Sequence, residues 1–97
     1  MRLTPEQIDI IRDSAREAFG AESSVMLFGS RVSDDKRGGD IDLLVKPASS
    51  DQLLRRKMRM LTLLEARLGE RKIDVVVARP DDDRPIVQVA RETGVAL

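Results

Sequence analysis

Three acidic residues of this sequence stand at the beginnings of two short apolar segments. Asp40 and Asp42 flank Ile41, and Asp74 follows Ile73 just ahead of three valines. Because side chains alternate across a β-strand, Asp40 and Asp42 should project from the same face. Two adjacent carboxylates repel each other unless a cation or a proton lies between them. If the two strands are neighbours, the three carboxylates could meet on one face, where three acids can hold two Mg²⁺ ions.

Each of these acids also has a purely structural interpretation. The Asp40/Asp42 pair equally suits an exposed strand edge with solvated charges, and Asp74 could be a strand-end residue that faces water. The functional interpretation has its own support, because a charge among apolar neighbours is costly to bury without a partner. The acids by themselves leave both alternatives open.

A glycine and a serine, Gly29 and Ser30, directly follow the apolar segment 25–28. A glycine at the end of a buried strand lets the main chain approach a ligand closely. If a helical turn begins at Ser30, its N–H groups and its hydroxyl can hold phosphate oxygens. Gly-Ser also forms ordinary turns, and the dipeptide alone favours that simpler interpretation.

The amino-acid composition limits the kinds of catalysis and metal binding that this protein can carry out. The chain has no cysteine and no histidine, which excludes thiolate chemistry and the commonest zinc ligand. Any metal must therefore be held by oxygen, which favours Mg²⁺ or Mn²⁺. Lysine plus arginine equals aspartate plus glutamate at 17 each, which argues against strong nonspecific binding to nucleic acid. No segment is apolar enough for a signal peptide or a membrane span, so we expect a cytoplasmic protein without a membrane partner.

Apolar periodicity predicts alternating helices and strands within a single domain over residues 1–97. A first helix should follow the N-cap Thr4, with Gln7 completing a capping box, and should end at Gly20. Strands are predicted at 25–28, 41–45 and 73–77, and a short last helix at 86–92, with the tail 95–97 undetermined. A long helix is predicted at 51–68, capped by Ser49 or Ser50, with the apolar stripe Leu53, Leu54, Met58, Leu61, Leu64 and Leu68.

The sequence resembles the nucleotidyltransferase superfamily that includes the polymerase-beta-like enzymes. Three segments together carry this resemblance: 27–31 (LFGSR), 40–43 (DIDL) and 73–75 (IDV). The short length is similar to that of the minimal nucleotidyltransferases of prokaryotes, the MNT or MntA-type antitoxins, and segment 87–95 also looks similar to that group. The resemblance implies an α/β (α+β) fold, a mixed β-sheet with helices packed mainly on one face and the carboxylates along an open edge. Strand order does not follow from the sequence.

The resemblance implies a role for each acid of the three segments. Asp40 and Asp42 would bind both the nucleotide-side metal and the catalytic metal, with two Mg²⁺ ions as the expected cofactor. Asp74 would complete the catalytic metal site and help to activate the acceptor hydroxyl.

The nucleotide-binding residues implied by the resemblance are Gly29, Ser30 and Arg31. The Gly29 main chain and Ser30 would hold the triphosphate, with ATP as the expected nucleotide. Arg31 would contact a phosphate or the spacer carboxylates, or it is an ordinary surface arginine.

Minimal nucleotidyltransferases of this type are often paired with a HEPN-domain ribonuclease toxin. The resemblance therefore implies transfer of AMP from ATP to a tyrosine hydroxyl of such a toxin, which would make this protein its antitoxin. Two alternatives stay open: a nucleotidyltransferase that acts on a small molecule or an RNA end, and an antitoxin that neutralises its partner by binding alone.

Several charged or sulfur-containing residues lie outside these segments. The basic cluster Arg55, Arg56, Lys57 and Arg59 is either a solvated helix face or a docking surface for protein or RNA. The acidic run 81–83 reads as a solvated turn, with Asp83 a candidate cap for the last helix. Met58 and Met60 are expected to fill the core or an interface.

Overall fold

The fold is given by a computed structural model, which describes residues 3–29, 41–69 and 72–97. Within these ranges the elements follow one another in the order α1 (Pro5–Phe19), β1 (Ser24–Phe28), β2 (Ile41–Lys46), α2 (Leu53–Leu68), β3 (Ile73–Val77), α3 (Pro85–Thr93) and β4 (Val95–Ala96). Every predicted helix and strand is thus confirmed. The tail left undetermined by the sequence contributes β4.

Helix α1 begins as its sequence predicts. The Thr4 hydroxyl accepts a hydrogen bond from the Gln7 N–H (3.1 Å), and the Thr4 N–H donates to Gln7 Oε1 (3.0 Å). This reciprocal capping box satisfies main-chain donors that the first helical turn cannot pair internally. At the other end, the Gly20 N–H donates to the Arg16 carbonyl at 2.9 Å, where the helix stops.

The strands form one mixed sheet in the order β3-β2-β1-β4. β1 runs antiparallel to both β2 and β4, whereas β2 and β3 are parallel. Parallel neighbours need a crossover, and α2 supplies it between β2 and β3. The two acid-bearing strands are therefore neighbours, an arrangement in which their carboxylates can meet on one face. β3 lies at one edge of the sheet that the described residues form.

Apolar side chains fill both faces of the sheet. Helices α1 and α2 pack against one face, where the fully buried core includes Ile11, Phe19, Leu27, Leu43 and Leu64. The shorter α3 covers part of the opposite face with a smaller cluster: Phe28, Leu44, Ala78, Val87 and Ala90. The predicted α/β (α+β) arrangement, a mixed sheet with helices mainly on one face, is confirmed.

Three details of the two later helices differ from the sequence predictions. Helix α2 begins at Leu53 after the N-cap residue Gln52, which has a left-handed main chain and no side-chain cap bond, so Ser49 and Ser50 do not cap it. Helix α3 has Arg84 as its N-cap residue, again without a side-chain cap bond. Asp83 is therefore not the cap; Pro85 starts this helix, and its fixed φ suits the first helical position.

The apolar stripe of α2 is rotated relative to the prediction. Met60 and Leu64 are fully buried, whereas Leu54 and Met58 are 74% and 54% exposed. Met60 fills the core as expected, but Met58 does not. In the described residues no helix is long and apolar enough to cross a membrane.

Replacing Leu64 by alanine should lower the free energy of unfolding by about 2–5 kcal/mol, because it removes a fully buried side chain from between α1, α2 and the sheet. Leu54→Ala, on the same helix but 74% exposed, is the matched control and should change it by less than about 0.5 kcal/mol. Urea unfolding followed by circular dichroism measures both. Equal losses would contradict this placement of the core.

Candidate active site

Asp42 and Asp74 lie directly opposite each other on the parallel strands β2 and β3. Because side chains alternate along a strand, Asp42 projects from the same face as Leu44, and Asp74 from the same face as Val76. These apolar neighbours belong to the face that α3 partly covers. The register thus brings two of the three predicted acids side by side, at the strand separation of about 4.8 Å.

Gly29 immediately follows β1, next to the strand pair that carries Asp42. Its φ of +80° lies in the left-handed region, which side-chain-bearing residues rarely adopt. A Cβ atom at this position would collide with Oδ2 of Asp42. A larger residue here would therefore require the Asp42 side chain to move. The close approach to a ligand that the sequence predicts for Gly29 stays a prediction.

Three other predicted site residues, Ser30, Arg31 and Asp40, lie outside the described residues. Their phosphate-binding and metal-binding roles stay predictions. Within the described ranges no group of three or more acids gathers into a metal site. The described part contributes two carboxylates, Asp42 and Asp74, whose hard oxygen donors fit Mg²⁺.

An open depression of about 470 Å³ contains both carboxylates. The apolar residues Phe28 and Ile86 and the basic residue Lys57 of α2 also line it. Asp74 is exposed and Asp42 is half-buried. The depression therefore offers a solvent-accessible acidic pair beside one ammonium group, a combination suited to a ligand that carries both metal ions and phosphates.

Lys57 is the residue of this site that the sequence reasoning did not single out. It was grouped with the basic cluster, yet the four cluster members do not share one face. Arg56 faces α1, where its Nη1 donates to the Ala18 carbonyl at 3.5 Å. Lys57 instead lies in the depression. Its spacing of four residues from both Leu53 and Leu61 placed it on their face of the helix, and that spacing was the available signal.

The loop after β3 is organised by Asp82, whose side chain is 4% exposed. Asp81 and Asp83 are exposed, as the solvated turn predicted from the sequence requires, so only Asp82 departs from that prediction. Its carboxylate accepts hydrogen bonds from the Arg84 guanidinium (2.8 Å) and from the Arg79 and Arg84 N–H groups (3.1 Å each). The Arg84 hydrogen bonds, followed by that of Arg79, hold the pKa of Asp82 far below its usual range. Arg84 Nη2 in turn donates to the Val77 carbonyl at 2.7 Å, which ties the loop to the end of β3.

Comparison with models of known protein families gives no match to this chain, and comparison with curated proteins gives none either. The function of this protein must therefore be inferred from the geometry of the depression and from the sequence resemblance.

Gly29→Ala should destabilise the fold more than Gly69→Ala. Both glycines have positive φ, +80° and +85°, so both variants carry a backbone strain of about 1–3 kcal/mol. No atom lies within 4 Å of a Cβ added at Gly69, whereas at Gly29 the added Cβ meets the Asp42 carboxylate. The additional loss at Gly29 should be about 0.5–1.5 kcal/mol in the free energy of unfolding, the usual cost of turning a side chain such as that of Asp42 away from its preferred rotamer.

A double-mutant cycle identifies the cause of that additional loss. In an Asp42→Ala background the excess cost of Gly29→Ala over Gly69→Ala should shrink, because the colliding carboxylate is gone. An excess that persists unchanged in this background would show that Asp42 is not what requires a glycine at position 29.

Proposed function

We propose that this protein is a metal-dependent nucleotidyltransferase that moves AMP from ATP to a hydroxyl group, most specifically to a tyrosine of a HEPN-domain ribonuclease toxin in the cytoplasm, for which it is the antitoxin. The observation that carries the proposal is the side-by-side placement of Asp42 and Asp74, with the Gly29 main chain directly against Asp42. The resemblance of segments 27–31, 40–43 and 73–75 to nucleotidyltransferases supplies the reaction class.

In the proposed reaction, Asp42 and Asp74, together with Asp40, would hold Mg²⁺. When bound there, Mg²⁺ would supply positive charge that offsets the triphosphate and lowers the pKa of the attacking hydroxyl. The acceptor oxygen forms a bond to the α-phosphorus, and the bond from that phosphorus to the bridging oxygen breaks, so pyrophosphate leaves with the electron pair. Asp74, the more exposed carboxylate of the pair, would take up the proton released by the hydroxyl.

A protein acceptor is favoured over an RNA end by the aromatic content. The sequence holds two phenylalanines and neither tyrosine nor tryptophan. Both phenylalanines, Phe19 and Phe28, are buried. Proteins that bind single-stranded RNA commonly stack bases on exposed aromatic rings, and this sequence offers none.

Asp42→Asn and Asp74→Asn should each abolish Mg²⁺-dependent binding of ATP, because each change removes a charged metal ligand at nearly constant volume. Asp51→Asn, at an exposed position ahead of α2, is the matched control and should bind ATP like the wild type. Isothermal titration of ATP with and without Mg²⁺ measures all three. The proposal would be contradicted if the wild-type protein bound ATP equally well without Mg²⁺, or if both Asp42→Asn and Asp74→Asn retained the wild-type affinity for ATP.

The same variants separate catalysis from neutralisation by contact alone. Purified toxin incubated with this protein, labelled ATP and Mg²⁺ should become labelled and lose its ribonuclease activity. With Asp42→Asn both effects should disappear. Neutralisation without label, retained by Asp42→Asn, would favour a non-catalytic antitoxin, and labelling of small hydroxylated acceptors in the absence of any protein would favour the small-molecule alternative.

Lys57 should contribute to the affinity for the nucleotide as well. Its ammonium group shares the depression with the two carboxylates, where it can neutralise a phosphate. Lys57→Gln should weaken ATP binding by about 1.5–3 kcal/mol, the usual worth of a hydrogen bond to a charged group. Arg55→Gln, an exposed change on the same helix, should leave the affinity unchanged; equal losses in both variants would indicate a general charge effect instead.

A further inference from the structure

The outer edge of β3 presents main-chain groups that no strand pairs in the described part of the chain. The β2–β3 ladder is bounded by two hydrogen bonds, from the Ile41 N–H to the Lys72 carbonyl (3.0 Å) and from the Ala78 N–H to the Val45 carbonyl (2.8 Å). Main-chain groups of successive residues point to opposite edges of a strand. Those of residues 73, 75 and 77 therefore point away from β2, towards the outside of the sheet.

Arg84 fixes where this outer edge ends. Its guanidinium, held by Asp82, donates to the outward carbonyl of Val77. Among the described residues, the N–H and carbonyl of residues 73 and 75 and the N–H of Val77 then remain for another chain. Such a row of main-chain groups is a template for one further strand.

The free edge also forms the floor of a groove that leads away from the candidate active site. A second depression of about 250 Å³ continues along β3 from the first and shares Lys57, Val75, Val76 and Ile86 with it. Exposed apolar side chains flank the groove, Leu54 on α2 (74% exposed) and Ile86 on α3 (46% exposed). Its two ends are Asp74 at the carboxylate site and Arg79 at the far end.

We propose that the acceptor is an extended polypeptide segment that adds to β3 as a fifth strand of the sheet. This inference rests on the proposed nucleotidyltransferase function, because it names the class of acceptor that the same site would take. A residue paired opposite Asp74 projects its side chain from the same face, with the two Cβ atoms about 4.5–5.5 Å apart. The added strand therefore carries its hydroxyl-bearing residue to the carboxylates.

Charge and polarity define the chemistry of this acceptor strand. Lys57 and Arg79 place positive charge along the groove, and Leu54 and Ile86 flank it with apolar surface. An alternating apolar and acidic segment with one tyrosine matches both features. A helix has its own main-chain groups already paired, so it could not form hydrogen bonds with those of β3.

A synthetic peptide of about ten residues, which is enough for one strand, provides the probe. It alternates valine and glutamate, has a central tyrosine and carries a fluorophore. A second peptide has the same sequence with its strand-pairing amides N-methylated. Fluorescence anisotropy should show that wild-type protein binds the unmodified peptide at least about tenfold more tightly, since each lost hydrogen bond costs close to one factor of ten.

Substitution at Val77 tests the same contact from the protein side. Val77→Pro removes an outward N–H that the β2–β3 ladder does not use, and proline is tolerated where a strand's N–H faces solvent. Val77→Ala removes the side chain but keeps that N–H, which makes it the matched control. Val77→Pro should bind the peptide about tenfold more weakly than Val77→Ala, while both should bind Mg²⁺-ATP equally.

The outcomes distinguish this inference from the proposed function. Equal affinity of the two peptides for wild-type protein, or no binding of either, overturns the added strand even if Mg²⁺-ATP binds. Binding of the unmodified peptide alone supports the added strand even if ATP does not bind, in which case the nucleotidyltransferase proposal fails by itself. If Val77→Pro fails to fold, the affinities of the two peptides for wild-type protein still decide whether the acceptor adds to β3 as a strand.

Discussion

The register between β2 and β3 is the constraint on which the candidate site depends. Since the side-chain period of a strand is two residues, a slip of one residue would turn Asp74 towards the helices and one of its valine neighbours towards water. The apolar pairs on the opposite face prevent this slip. Leu43 lies opposite Val75 and Val45 opposite Val77, and all four contribute to the core beneath α1 and α2.

Two carboxylates held opposite each other are an unfavourable arrangement that the rest of the domain has to sustain. Their mutual repulsion would favour separation, but apolar burial on the other face of the same strands opposes it. Gly29 adds to the constraint because the Asp42 carboxylate occupies the space that a side chain at position 29 would need. The position of this pair therefore depends on the core beneath α1 and α2, which packs against the other face of the same strands.

The sequence predicted the elements well because each follows from a local pattern. Thr4 and Gln7 act within one helical turn, and the alternation around Asp42 and Asp74 is a property of single strands. What the sequence could not supply depends on contacts between elements. Tertiary packing, which local propensity does not encode, decides three of these features. They are the pairing of β4 with β1, the exposure of Met58 in place of Met60, and the hydrogen bonds that Asp82 makes with its loop.

An exposed sheet edge is a liability for a small protein, since it can pair with another copy and aggregate. Here the far end of the edge is closed by Arg84, and Lys57 lines the groove along it, while no described residue closes the end beside Asp74. Closing one end and not the other restricts pairing to a strand that approaches the carboxylates. A chain of 97 residues has a modest core, so an added strand would also stabilise the fold by mass action. Binding of an acceptor strand and stability of the domain would then be two consequences of the same hydrogen bonds.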